Sequence, residues 1–284
     1  MKLISFLDRL AATPADAAPT PRRALLAQLG QAAVAALPLS VAAALPAAAA
    51  PADTSFDAVT QLFQLERTQA ALYTQALAAP GLIPTAQTTD FQRLLAHQTQ
   101  HAALLLKALQ DAGALVPALP QFDFSGRHGV ATNPELFPAA LTSYDTFLAL
   151  AQQLEDLGVR LYKTHAFIIG DPQLLRAALR IHAVEAGHSA HIRGLRKGRG
   201  ETVQNWPSEE DAAIARPAAA LALTTAATGG EENGVQYVTP GVLVPFASFL
   251  LISTNTAIHD PALAEAFDEP VSSTVAQTAL NLFV

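Results

Sequence analysis

Two stretches of this chain repeat each other, and what they share is a set of polar residues at helical spacing. Gln64-Leu65-Glu66 with Leu72-Tyr73 returns 89 positions later as Gln153-Leu154-Glu155 with Leu161-Tyr162. The stretches Arg93 to His101 and Arg180 to His188 match at an offset of 87, which sets Gln98 against Glu185 and His101 against His188. Apolar residues around them fall at i, i+3, i+4 and i+7, the period of helices and not of strands. A repeated helical hairpin needs its copy to bury its apolar face. The repeat therefore predicts an all-α fold, a four-helix bundle over residues 53–199 with a partly irregular C-terminal extension, 200–284, packing on it.

Punctuation sets the expected helix ends. A cap at Thr54 or Ser55 starts helix one, and Pro80-Gly81 stops it near Ala79. Helix two runs from Thr88-Thr89 to Gly113, a residue suited to a left-handed cap. After a loop holding Pro117, Pro120, Gly126 and Gly129, Asn133-Pro134 is expected to open helix three, interrupted at Pro138 and ending at Gly170. Asp171-Pro172 opens helix four, which ends at Arg196-Lys197-Gly198. Beyond it, Gly229 to Gly234 reads as a turn, and Gly241 to Ser253 as an apolar run too short to span a bilayer. Asp260-Pro261 reads as the start of a short helix ended by Pro270, and Ser272 or Ser273 as the cap of a last helix through Phe283.

The first 52 residues follow other rules. Their charges are Lys2, Arg9, Arg22 and Arg23 against Asp8 and Asp16, and an uncharged Ala- and Leu-rich run then leads to Pro46 and a string of alanines. A basic region, an apolar region and small residues at a cut site make an export signal, here with cleavage expected after Ala52. Arg22-Arg23 before Ala24-Leu25-Leu26 resembles a twin-arginine signal, although Pro21 stands where Ser or Thr is usual. The alternative is an uncleaved membrane anchor over Ala24 to Ala50, in which Gln28, Gly30, Gln31, Pro38, Ser40 and Pro46 would be poor spanning residues. The expected location is exported, periplasmic or at the cell envelope. Without the leader, 13 basic and 22 acidic residues remain, a net charge of −9 against −7 for the whole chain, which disfavours a nucleic-acid partner. The sequence holds no cysteine. Disulfides, thiolate metal sites and cysteine nucleophiles are thereby excluded, and any metal must sit among nitrogen and oxygen ligands.

The repeat supplies such ligands. Residues three apart lie on nearly one helix face, so Glu185 and His188 can approach one ion from helix four. Glu66 and Glu155, inward on helices one and three, would face them, and two opposed hairpins would make the site nearly two-fold symmetric. Carboxylate and imidazole ligands suit iron, manganese or zinc. Tyr73 and Tyr162 are expected as core tyrosines with satisfied hydroxyls, with a radical or electron-relay role as the alternative. His97, His182 and His191 are expected behind the ligands or in solvent, with inward reach as the alternative for His182, one turn before Glu185, and His128 and His259 are expected in loops.

On Glu66, His101, Glu155 and the Glu185-x-x-His188 motif, residues 53–200 resemble the ferritin-like superfamily. Within it, Glu231-Glu232-Asn233 and Glu265-Ala266-Phe267-Asp268-Glu269-Pro270 resemble the bacterial ferritin-like group related to plant desiccation-associated proteins. The resemblance implies a Glu ligand from helices one and three and a Glu-x-x-His pair from helices two and four. Gln98 stands where helix two should give its Glu. One iron or manganese ion, or zinc, held chiefly by Glu155, Glu185 and His188, and a weakened pair reaching Glu66, Gln98 and His101, are thus both open. So are two functions: a metal protein reactive toward oxygen or peroxide, and a noncatalytic stress-protection bundle with an eroded centre. Iron storage in a hollow shell is disfavoured by the long tail. The metal ion is the expected partner; a homo-oligomer stays open, and contact with a membrane follows only if the leader is retained.

Overall fold

Thr54 begins the fold by capping the first helix. Its hydroxyl accepts from the Asp57 amide at 3.1 Å while the Asp57 carboxylate accepts from the Thr54 amide at 3.0 Å, so two otherwise orphaned donors are satisfied reciprocally. The computed structural model describes residues 54–114, 116, 118, 121–228, 265, 268 and 270–284, all within the unit Asp53–Val284. Four long helices dominate it: α1 Ser55–Ala78, α2 Thr88–Asp111, α3 Tyr144–Ala166 and α4 Pro172–Gly198. Two short ones follow, α5 Leu221–Ala227 and α6 Ser273–Leu280. No strand occurs among the described residues.

Sequence and structure agree on α1, α2 and α4. Gly113, just past α2, adopts a φ of +70°, a left-handed conformation that closes the helix and that a side chain would strain. The Asp171 carboxylate accepts from Leu174 N at 2.7 Å, with Pro172 at the first helical position where its missing N–H costs nothing.

The third helix departs from expectation at both ends. It starts at Tyr144, and Asn133-Pro134 lies in an irregular segment. Pro138 cannot sit inside a helix without breaking a hydrogen bond, and Ala139 next to it takes a φ of +59°. Leu136, Phe137 and Ala140 are instead buried as anchors of this segment, with Phe137 stacked on Phe283 at 4.9 Å between ring centroids. At its other end the helix stops at Ala166, four residues short of Gly170. Exposed Phe167 and the turn through Ile168 and Ile169, both bonded to the His165 carbonyl, lead into α4.

α1 packs on α2 and α3 on α4, and the two hairpins meet chiefly through α1 and α3. The core is leucine-rich, with Leu62, Leu65, Leu72, Leu105, Leu150, Leu157 and Leu161 all buried. Each such side chain contributes about 1.5–3 kcal/mol. Phe91, Phe147 and Tyr73 form an aromatic cluster with centroids 5.2–6.3 Å apart. From the extension, α5 and α6 pack on each other, α5 also on α3 and α6 on α1 and α3. Ser272 caps α6, whose chain runs on through a 3-10 turn to Phe283. A buried charge network joins α3 and α4 to the segment after α4. In it Asp156 accepts from Arg193 at 2.7 Å and from Ser189 at 2.5 Å, and Arg193 also reaches Asp211. Among the described residues no helix is long and apolar enough to cross a membrane. The leader, the turn at Gly229, the apolar run from Gly241, His259, the Asp260-Pro261 start and Glu231-Glu232-Asn233 lie outside the described residues, as do Ala266, Phe267 and Glu269 of the 265–270 motif.

Candidate metal centre

Each long helix sends polar side chains to one layer inside the bundle: Glu66 from α1, Gln98 and His101 from α2, Glu155 from α3, Glu185 and His188 from α4. Glu66, Gln98, Glu155 and Glu185 are 0% exposed, which for three carboxylates in a leucine core demands compensation. The structure thus brings all six sequence-derived candidates together.

They form two overlapping triads. Glu66, His101 and Glu185 make one, and Glu155, Glu185 and His188 the other; within each, the ligand atoms lie within 4.8 Å of one another. Glu185 is shared. Its Oε1 lies 3.4 Å from His101 Nδ1 and 3.3 Å from His188 Nδ1. Glu66 Oε2 approaches His101 Nδ1 to 3.3 Å, and Glu155 Oε2 approaches His188 Nδ1 to 3.4 Å. Gaps of this size suit an ion bonded at about 2.0–2.2 Å to oxygen and nitrogen. Gln98 stands between the halves. Its amide nitrogen is 3.3 Å from both oxygens of Glu155 and 3.4 Å from Glu185 Oε2, and its carbonyl oxygen is 3.1 Å from His101 Nδ1.

The electrostatics follow from burial. Burial and the charge of Glu185 push Glu66 up to about 8 and Glu155 up to about 7. Burial also works against charge on Glu185, but the imidazoles of His101 and His188 close beside it outweigh it and hold that carboxyl well below the usual range. The imidazoles show the reverse balance: burial opposes their charge, yet Glu185 with Glu66 raises His101 to about 9, and Glu155 with Glu185 raises His188 to about 10. In the absence of metal the layer is held by protons.

Three features escaped the sequence reading. The tyrosine hydroxyls are satisfied, as expected, but each serves the glutamate of the opposite hairpin: Tyr73 donates to Glu155, and Tyr162 to Glu66 at 2.5 Å. Gln69 donates to Leu154 O at 3.1 Å, to Glu155 Oε2 at 3.2 Å and to Glu185 Oε2 at 3.0 Å. Its counterpart in the repeat is Gly158, where an added Cβ would fall 2.6 Å from Glu185 Oε2 and 3.2 Å from Gln69 Nε2. The two positions are thus complementary, one filling the room the other leaves. The offset that aligned the glutamates also aligns this pair, and that was the available signal. The third is the partner of His97: His97 stands behind a ligand, one of the two places expected for it, with its Nδ1 3.0 Å from His188 Nε2 and the rings 15° from parallel. His182 and His191 are both half-buried, and His191 Nε2 stands 3.8 Å from Asp90. His128 is in a loop, with its Nδ1 2.8 Å from Val284 O.

The sequence model of a ferritin-like domain matches residues 54–198, the span from the α1 cap to the end of α4. The chain belongs to the ferritin-like family. None of the curated proteins compared matches it. The fold and the carboxylate–imidazole layer of this ferritin-like chain are those of a protein able to hold a metal ion among nitrogen and oxygen ligands.

Proposed function

We propose that this ferritin-like protein binds one or two iron or manganese ions, reacts with oxygen or peroxide, and works after export. One observation carries the metal reading: Glu185 Oε1 and His188 Nδ1 are buried within the layer, and neither makes a hydrogen bond with the described residues. Each has a neighbour near 3.3 Å, but none aligned to bond it. A carboxylate oxygen and an imidazole nitrogen left this way accept a cation. Glu155, Glu185 and His188 would hold one ion, and Glu66, His101 and Glu185 the other. Iron or manganese there supplies one-electron redox chemistry toward oxygen or peroxide, whereas zinc fits the same donors without it.

The residues around the ions have separate tasks. Tyr73 and Tyr162 fix the rotamers of Glu155 and Glu66 by donating to Oε1 of each, with Oε2 of each turned toward an imidazole Nδ1. Gln69 holds the second oxygen of Glu185. The Leu and Phe shell excludes bulk water, so each donor acts at low dielectric. Three carboxylates against two divalent ions leave a net positive charge, which favours an anion or anionic substrate beside the ions. The leader, read as a twin-arginine signal, would export the chain already folded and carrying its metal.

A second reading, a noncatalytic stress-protection bundle, rests on Gln98. Its amide nitrogen already donates to both oxygens of Glu155 and to Oε2 of Glu185, which ties three helices of the layer together without a metal. Metal analysis separates the two readings. The full chain, stripped with chelator and equilibrated with Fe(II), Mn(II) or Zn(II), should retain at least one equivalent and lose it in Glu185→Gln. A folded chain holding well under one equivalent of each refutes the metal reading. Mass analysis of the protein recovered outside the cytoplasm, expected to begin at Asp53, tests the export reading, and export that persists in Arg22→Lys/Arg23→Lys refutes the twin-arginine route.

A further inference from the structure

The repeat makes the two halves of the layer look equivalent, and His97 breaks that equivalence. The register that pairs Gln98 with Glu185 and His101 with His188 pairs His97 with Val184. On one side of the pseudo-two-fold axis, His188 therefore has an imidazole behind it, with His97 Nδ1 3.0 Å from its Nε2. On the other side the position that should support His101 is a valine, which has no atom to accept a hydrogen bond. The ring centroids of His97 and His188 are 5.3 Å apart and nearly coplanar, a geometry in which the two facing nitrogens share one proton.

That contact decides which nitrogen of His188 faces the carboxylates. With His97 Nδ1 accepting from His188 Nε2–H, the lone pair of a neutral His188 lies on Nδ1, the atom 3.3 Å from Glu185 and 3.4 Å from Glu155. Gln69 reinforces the same side, since its amide holds Glu155 and Glu185 together, while Gly158 leaves the corresponding place without a side chain. Among the described residues, the partners of His101 Nδ1 are Gln98, its own helix neighbour, and the two carboxylates.

We propose that His97 is a positioning residue that makes the two metal positions unequal, so that the first ion enters at Glu155/Glu185/His188 and the Glu66/His101 position fills second. The inference rests on the metal reading above and deepens it. The tighter step then belongs to α3 and α4, and that step alone depends on His97.

The test is titration of the chelator-stripped full chain with Co(II), followed by calorimetry and by visible absorption of the bound ion. Wild type should give either two steps of different affinity or a single tight one. The tight step should vanish in Glu155→Gln and persist in Glu66→Gln. His97→Leu, a change at a half-buried position that leaves the core intact, should weaken that step about 10–100-fold and leave any second step unchanged. His97→Asn, whose side-chain oxygen can stand where Nδ1 does, should restore most of the affinity and the absorption spectrum. Equal steps in wild type, a tight step that survives Glu155→Gln, or a His97→Leu titration that matches wild type would each overturn the inference while leaving the metal reading intact. A wild-type chain that binds no Co(II), Fe(II) or Mn(II) overturns both.

Discussion

Replacing Gln98 with Glu tests the centre through a penalty that the structure allows to be worked out. In the native layer the Gln98 amide nitrogen sits 3.3 Å from each oxygen of Glu155 and 3.4 Å from one of Glu185, donating to them. A carboxylate in its place turns attraction into repulsion. At an effective dielectric near 20, one pair of unit charges about 3.3 Å apart costs about 5 kcal/mol. The new side chain has a cheaper course, which is to keep its proton. Against an unfolded value near 4.3, holding it neutral at about pH 7.5 costs about 4 kcal/mol, and at about pH 5.5 about 1.6 kcal/mol. The sign follows: an acid whose native pKa lies above its unfolded one destabilises the native state above the unfolded pKa, increasingly as pH rises. For a domain of this size those losses correspond to melting points lowered by about 8–16 °C at the higher pH and about 3–6 °C at the lower. Thermal melts followed by circular dichroism in chelator measure this directly. Adding Mn(II) should reverse the order, since the fourth carboxylate then faces cations. A variant as stable as wild type at pH 7.5 in chelator, or one whose loss does not shrink on acidification, would show that Gln98 does not lie among the carboxylates.

Metal-free wild type should itself lose stability from about pH 5 to 10. Burial of Glu66 and Glu155, raised to about 8 and 7, costs more as pH climbs, and the stabilising charge on His101 and His188 is lost as pH passes about 9 and 10. Calorimetric melts across that range in chelator check it. Because both imidazoles and much of Glu66 carry protons at neutral pH, loading two ions should release about three protons, read from binding enthalpies in buffers of different ionisation heat. Gly158→Ala gains about 1 kcal/mol of helix propensity but sets a methyl 2.6 Å from Glu185 Oε2. Its stability should therefore change by less than about 2 kcal/mol while metal affinity falls clearly, a split that urea titration and Co(II) binding together reveal. Arg193→Leu leaves Asp156 buried without its counter-ion and should cost about 3–5 kcal/mol in urea denaturation.

The bundle was legible because its signals are local. Caps at Thr54 and Asp171, the glycine at 113 and the apolar period each act within one turn of helix. Where a nonlocal contact decides, the reading failed. Asn133-Pro134 has the grammar of a helix start, but the burial of Leu136 and the stacking of buried Phe137 on Phe283 outweigh it. The candidate ligands could be read for a related reason: a repeat compares two helices with each other, so polar residues that recur among leucines stand out. Gln69 and Gly158 recur at the same offset yet differ in kind, which hides their complementarity until the helices are in place. His97 has no repeat partner of its own chemistry, so only the 3.0 Å contact shows its position beside His188.

The crossed tyrosines bear on how the chain reaches this state. Tyr73 belongs to the first hairpin and satisfies a glutamate of the second, and Tyr162 returns the favour to the first. Neither hairpin, folded alone, could bury its own glutamate with that donor in place. The native polar layer is therefore complete only after both hairpins have docked, which couples segments nearly a hundred residues apart into one cooperative transition. A single hairpin of this kind would find the missing hydroxyl in a second copy of itself, since reciprocal exchange is what a two-fold dimer provides. In the present chain that exchange is intramolecular, so each half depends on the other to complete its polar layer.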